Sequence, residues 1–133
     1  MKRILSLLRS NGGAAAIEMA IALPVLILFI WGIFQIAIAF QASAGMQHAL
    51  GEGARLATIF PVPTDTQIRD RISAKTFGTG NGTFSTPTVT TPPTSDCTNC
   101  RLLTVTYTMP MNFLFFNGPN VTLTRTKQVY IAA

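Results

Sequence analysis

From Met19 to Phe40 the chain carries no ionisable residue, and Gln35 is the only strongly polar side chain in the run. A helix needs about 20 apolar residues to cross a bilayer, and this stretch supplies that length. Leu, Ile, Val, Phe, Ala and the single Trp31 dominate it. They surround the helix axis on all sides, as lipid or a bundle interior requires. Pro24 has no N–H to donate and crowds the carbonyl of Ala20, which predicts a bend or an opened turn there. Gly32 is a second interruption. Outside the run the chain is rich in Thr, Gly and Pro, so a large enzymatic core is not on offer.

The net charge of +5 is unevenly placed. Lys2, Arg3 and Arg9 precede the apolar run, and no further positive charge appears until Arg55. Without those three, seven basic residues face five acidic ones, scattered and without an aromatic-interleaved basic run. Nucleic acid is therefore not the partner; membrane lipid is. The positive-inside rule places the N-terminus in the cytoplasm and the bulk of the chain beyond the membrane. Ala42-Ser43-Ala44 offers a signal-peptidase site, and a secreted protein released there is one reading. The apolar run is longer than a signal h-region of about 7–15 residues, and Glu18 stands where such peptides rarely place an acid.

The stretch Gly12-Gly13-Ala14-Ala15-Ala16-Ile17-Glu18-Met19 joins the basic leader to the apolar run. A carboxylate at the start of a membrane span is costly unless it is paired or reaches the headgroup water. Both readings of Glu18 are open on the residues alone.

This opening resembles type IV pilin-like precursors, in which a prepilin peptidase cuts after a glycine and leaves a glutamate at the fifth mature position. The resemblance puts the cut between Gly13 and Ala14 and makes Glu18 that glutamate, an assembly residue able to pair with the new amine of a neighbouring subunit. More specifically, the chain is similar to TadE-like minor pseudopilins of the tight-adherence (Tad/Flp, type IVc) pilus system. Three pieces carry the likeness: Gly13 to Met19 with its Ala-Leu-Pro span, Glu52-Gly53-Ala54-Arg55-Leu56-Ala57, and the Thr-alternating pair Leu103–Tyr107 and Val121–Thr124. Met19 departs from the aromatic residue usual after the glutamate. The resemblance implies an adherence-pilus subunit of the bacterial inner membrane, single-pass, with its head periplasmic or extracellular. Its implied partners are the prepilin peptidase, other pilins or pseudopilins, and the inner-membrane assembly platform.

Beyond the span, Met46, Ala49, Leu50, Gly53, Ala57 and Phe60 share one helical face, opposite Gln41, His48, Glu52 and Arg55. A helix from Ala14 to Ile59 would run about 70 Å at 1.5 Å per residue, ended by Pro61 and Pro63. Glu52 and Arg55, three apart, can form a weak pair. Gly51 and Gly53 make sense in a helix if something packs closely there. A second helix starts at Thr64, where Thr64 and Gln67 fit a capping box, with Ile68 and Ile72 as its stripe and Gly78 as its stop.

Residues 78–96 read as loop or edge structure. Leu103–Met109 and Val121–Ile131 alternate as strands of an antiparallel sheet, with Arg125 and Lys127 interrupting the apolar parity. Met111 to Phe116 is too apolar for a plain surface loop; it either caps the core or meets a partner or membrane surface. The fold class is thus α+β and pilin-like. A basic leader (1–13) precedes a transmembrane helix (14–40), an amphipathic stem helix (41–60) and an extracytoplasmic α+β head (61–133), whose Thr/Pro-rich loop covers 78–96.

Cys97-Thr98-Asn99-Cys100 lacks the βαβ setting of a redox pair, and two Cys with a distant His48 cannot make a four-ligand zinc site. A small disulfide loop between Cys97 and Cys100 is the better reading. No nucleophilic triad, carboxylate pair, phosphate loop or metal constellation is present in the sequence, so neither enzyme nor cofactor is called for. The alternative to a pilin is an uncleaved, single-pass extracytoplasmic binding protein whose span is only a tether.

Overall fold

The computed structural model describes residues 12–92, 97, 99–113 and 115–131. Leader residues Lys2, Arg3 and Arg9 lie outside this set. In chain order the elements are helix α1 (Gly12–Ala57), helix α2 (Asp65–Lys75) and strands β1 (Thr83–Phe84), β2 (Thr88–Thr90), β3 (Cys100–Asn112) and β4 (Asn117–Tyr130). The class is α+β: a long N-terminal helix followed by a small antiparallel sheet. Contacts divide the chain into two compact units, the first ending at Phe34 and the second beginning at Gln35.

In the first unit α1 continues through Pro24 as one helix. From Ala14 to Phe34 every residue except Leu28 and Gly32 is exposed, and Ile17, Ile21 and Phe29 each show about two-thirds of their surface. The helix is long and apolar enough to cross a membrane. Among the described residues no packing covers this surface, so its stability in water would be poor; lipid or other apolar helices are the environment it fits.

The second unit is built on residues 35–57 of α1. Met46, Ala49, Leu50, Gly53 and Ala57 are buried, as their periodicity predicts, and Ile38, Ala42 and Ala54 join them. Phe60 does not: it is 81% exposed because α1 ends at Ala57, ahead of the prolines. Thr58 and Ile59 close the end with tighter bonds to the carbonyls of Arg55 and Leu56 (3.3 and 3.1 Å). The Thr58 hydroxyl also donates to the Arg55 carbonyl at 2.8 Å, satisfying a group the helix leaves orphaned.

Helix α2 begins with the capping box read from the sequence. The Gln67 amide donates to Thr64 Oγ1 (3.3 Å) and the Thr64 amide to Gln67 Oε1 (2.9 Å). Ile68 and Ile72 are fully buried. The helix stops at Thr76, before Gly78, whose φ of 79° serves instead to turn the following loop against the backbone of Gln41.

Strand β3 is central. It pairs with β4 along one edge and with β1 and β2 along the other, all antiparallel. Leu103, Val105, Tyr107 and Met109 are buried on the face toward α1, and Val89 of β2 and Val129 of β4 complete that layer. On the outer face the hydroxyls of Thr106 and Thr124 meet at 3.2 Å and those of Thr108 and Thr122 at 3.4 Å. These β-branched polar pairs suit a half-solvated sheet surface. Pro110 sits at the register shift between Pro110 and Asn112, where its missing N–H costs the ladder least. The connection read as loop or edge structure contributes the two edge strands β1 and β2; residues 93–96 of it lie outside the described set. The hairpin turn is Phe113–Phe116, with amide–carbonyl bonds in both directions (2.9 and 3.3 Å), and Asn117-Gly118-Pro119 already belongs to β4.

Candidate functional site

The first region of interest is the start of α1. Gly13 and Ala14 lie in its first turn and are exposed, and a side chain at Gly13 would meet no atom within 4 Å. First-turn amides have no intrahelical acceptor, and two consecutive glycines, Gly12 and Gly13, each weaken a helix by about 1 kcal/mol relative to alanine. The Gly13–Ala14 bond is therefore the part of α1 that can unwind into an extended strand at least cost. Glu18 follows one turn later, exposed beside a shallow apolar groove formed with Ile21, Ala22, Val25, Leu26 and Phe29. Among the described residues no cation pairs with it.

The second region is where α1 meets the sheet, and here residues act that sequence reading passed over. Gln35 is fully buried, and its Nε2 donates to the Asn112 carbonyl at 2.8 Å while its Oε1 has no hydrogen-bond partner among the described residues. Its signal was in the sequence: it is the one strongly polar side chain of an apolar run. Arg125 donates from Nε and Nη2 to the Ser43 hydroxyl at 3.2 and 3.1 Å. The register pairs Arg125 with Val105 and Lys127 with Leu103, so both cations lie on the α1-facing side of edge strand β4. They keep the apolar parity in position and replace it in chemistry. Inward-pointing charge of this kind discourages another strand from adding to an open edge.

Glu52 pairs not with Arg55 but with Arg71 of α2, at 2.7 Å. The Arg71 hydrogen bond, ahead of its charge and those of Arg55 and Lys75, holds the Glu52 carboxyl below the usual carboxylate range. A group with a depressed folded-state pKa stabilises fully above its unfolded value and loses that contribution as pH falls through the folded value. Arg71→Ala should therefore lower the urea midpoint at pH 7 and leave it unchanged well below pH 4. Urea titrations at the two pH values test this, and an equal loss at both would show that the pair's charge is irrelevant. A second ion pair, Arg101 Nε to Asp65 Oδ1 at 3.3 Å, ties β3 to the start of α2.

Cys97 and Cys100 form a disulfide with Cα atoms 5.5 Å apart, at the entrance to β3. His48 is exposed and lies against the Phe77 ring, with centroids 5.7 Å apart. Among the described residues no three His, Cys, Asp or Glu side chains gather as a metal site. The Tyr107 hydroxyl is buried and donates to the Thr79 carbonyl at 2.5 Å. Burial pushes its pKa up, partly opposed by the Gly82 amide, which suits a structural hydroxyl rather than a reactive one.

Residues 13–55 match the family model described as TadE-like protein. Over that stretch, about a third of its length, the chain is similar to TadE-like proteins. The match starts at Gly13, takes in Glu18 and the apolar run, and ends at Arg55, so two of the three stretches that carried the resemblance fall wholly or largely inside it. The third, the Thr-alternating strands, lies beyond it. No curated protein and no solved structure matches the chain. The similarity is thus carried by α1, including residues that bury against the sheet.

Proposed function

We propose that this protein is a minor pilin of a Tad-type pilus, cut by a prepilin peptidase between Gly13 and Ala14 and incorporated into, or priming assembly of, the fibre that mediates surface adherence. Its role is structural, as a substrate of the peptidase rather than an enzyme. The observation that carries the reading is the TadE-like match that opens at Gly13 and runs through Glu18 and an apolar helix left exposed among the described residues. In this reading the basic leader stays cytoplasmic, the apolar part of α1 holds the precursor in the inner membrane, and the sheet-bearing unit projects to the far side. Other pilins or pseudopilins then cover the exposed helix during assembly, and the assembly platform delivers the subunit to them.

Cleavage would create an α-amino group at Ala14. In a bundle of low dielectric, a cation there and the Glu18 carboxylate of a neighbouring subunit attract strongly, and each relieves the other's desolvation. The processing step is tested by mass spectrometry of the mature N-terminus in the native host. Ala14 is the expected first residue; Met1, or a start beyond Ala44, overturns it. Glu18→Ala should leave cleavage intact and reduce pilus output, since each 1.4 kcal/mol of lost pairing lowers an assembly constant about tenfold. Normal pili from that variant would remove the carboxylate from the mechanism.

The compactness of the unit beginning at Gln35 also suits a membrane-tethered binding protein. Exchanging residues 19–34 for an unrelated apolar helix separates the two: a tether keeps its function, and a pilin stem loses it.

A further inference from the structure

We propose that the tip of the β3–β4 hairpin is a membrane-contacting element that seats in the outer lipid interface beside α1. The argument starts from the level at which the tip is fixed. Gln35 Nε2 holds the Asn112 carbonyl, so the turn is tied to α1 at residue 35. The apolar run continues to Phe40, about 7 Å further along the axis at 1.5 Å per residue. Lipid that covers the run to its end therefore also reaches the turn.

The turn is built for that environment. Phe115 and Phe116 are 72% and 57% exposed, and Ile36 and Phe40 on the neighbouring part of α1 are 53% and 74% exposed. Phe113 stacks on Phe116 with centroids 4.8 Å apart. The Phe113 and Phe116 amides and carbonyls bond each other, and the Asn112 carbonyl is taken by Gln35. Each backbone group satisfied in this way lowers the cost of bringing the turn into a membrane interface. Arg125, anchored at Ser43, stands eight residues and about 12 Å beyond Gln35, the level of lipid phosphates for a tip buried some 5–10 Å. From Cys97 onward the chain has no Asp or Glu, so nothing on the hairpin repels those phosphates. The polar rim and apolar end thus follow the order of a membrane interface, and a second soluble protein would have no reason to match it.

The inference needs the apolar run to enter a bilayer, and does not depend on the chain joining a pilus. The full chain is reconstituted at high dilution in phosphatidylcholine/phosphatidylglycerol vesicles containing nitroxide-labelled lipid. In a Trp31→Phe background, Phe116→Trp and separately Phe115→Trp place a fluorophore at the tip. Tyr130→Trp, at the opposite end of the hairpin and 70% exposed, is the reference. The tip variants should emit at shorter wavelength and be quenched about threefold or more relative to the reference, as depth in the interface requires. Quenching no greater than the reference, with native Trp31 strongly quenched, overturns the proposal: the span is inserted and the tip is in water. A blue shift without quenching also overturns it, since a second copy and not lipid then covers the tip. If Trp31 itself escapes quenching, the run is not in the bilayer and the inference falls with it.

Discussion

Gly45→Ala should cost the sheet-bearing unit about 3 kcal/mol, whereas Gly51→Ala, two turns along the same helix, should stabilise it by up to about 1 kcal/mol. Both changes add one methyl group to α1 and both improve its intrinsic helix propensity. They differ in what the methyl meets. At Gly45 it falls on the Phe77 carbonyl oxygen, with the Phe77 carbonyl carbon and amide nitrogen at 3.0 and 3.1 Å, all of them backbone. At Gly51 nothing lies within 4 Å. Backbone cannot rotate aside as a side chain does, so the 76–79 segment must lift from the helix. That segment carries Thr79, whose carbonyl accepts the buried Tyr107 hydroxyl, so the displacement also threatens a satisfied polar group in the core. Gly53→Ala should fall between the two, since its methyl meets Cγ1 and Cδ1 of the buried Ile72 side chain and not backbone. Urea unfolding of the detergent-solubilised full chain, followed by circular dichroism, orders the three. Equal stability of Gly45→Ala and the native chain would mean that the loop does not cross α1 this closely.

On the proposed cut after Gly13, Gly13→Val should slow removal of the leader by about 100-fold, the size of effect that misplacing a scissile bond by an ångström produces. Two physical reasons combine. A β-branched residue bars the close backbone approach that a protease site needs on either side of the cut, and it loses glycine's freedom to leave the first helical turn. The structure offers no competing reason for a glycine: a side chain at position 13 touches nothing. A folding defect is therefore not expected from the substitution, and the unfolding curve of the variant should overlay the native one. Intact mass in the native host reads the result, with the leader-bearing species accumulating in the membrane and pili falling in parallel. Rapid cleavage of Gly13→Val would place the cut elsewhere or remove the peptidase from the pathway.

Much of α1 was legible from residue order alone. Twenty-two residues without an ionisable group determine an apolar helix whatever follows, and the Met46–Ala57 stripe predicts which side of its distal part is buried. The capping box at Thr64 and the Thr-alternating strands were equally local signals, because each depends on groups within a few residues of one another. Phe60 was assigned to the buried stripe by the same periodicity and is exposed, because periodicity says nothing of where a helix stops, and α1 stops at Ala57. Glu52 illustrates the same limit in electrostatics. Its neighbour in sequence, Arg55, was the available partner on one helix, and Arg71, nineteen residues away, took the bond once α2 folded back.

What the sequence determined by itself is the span, its charged flank, the Gly13–Ala14–Glu18 spacing and the hydrophobic parity of each element, all properties of neighbours along the chain. The tertiary structure alone decided that Gln35 turns inward to hold the Asn112 carbonyl, that Gly45 is a crossing point and Gly51 is not, and that Arg125 and Lys127 face α1 from the sheet edge. Those facts rest on contacts between segments tens of residues apart, and a pattern of period 2 or 3.6 carries no information about which distant backbone will arrive opposite it.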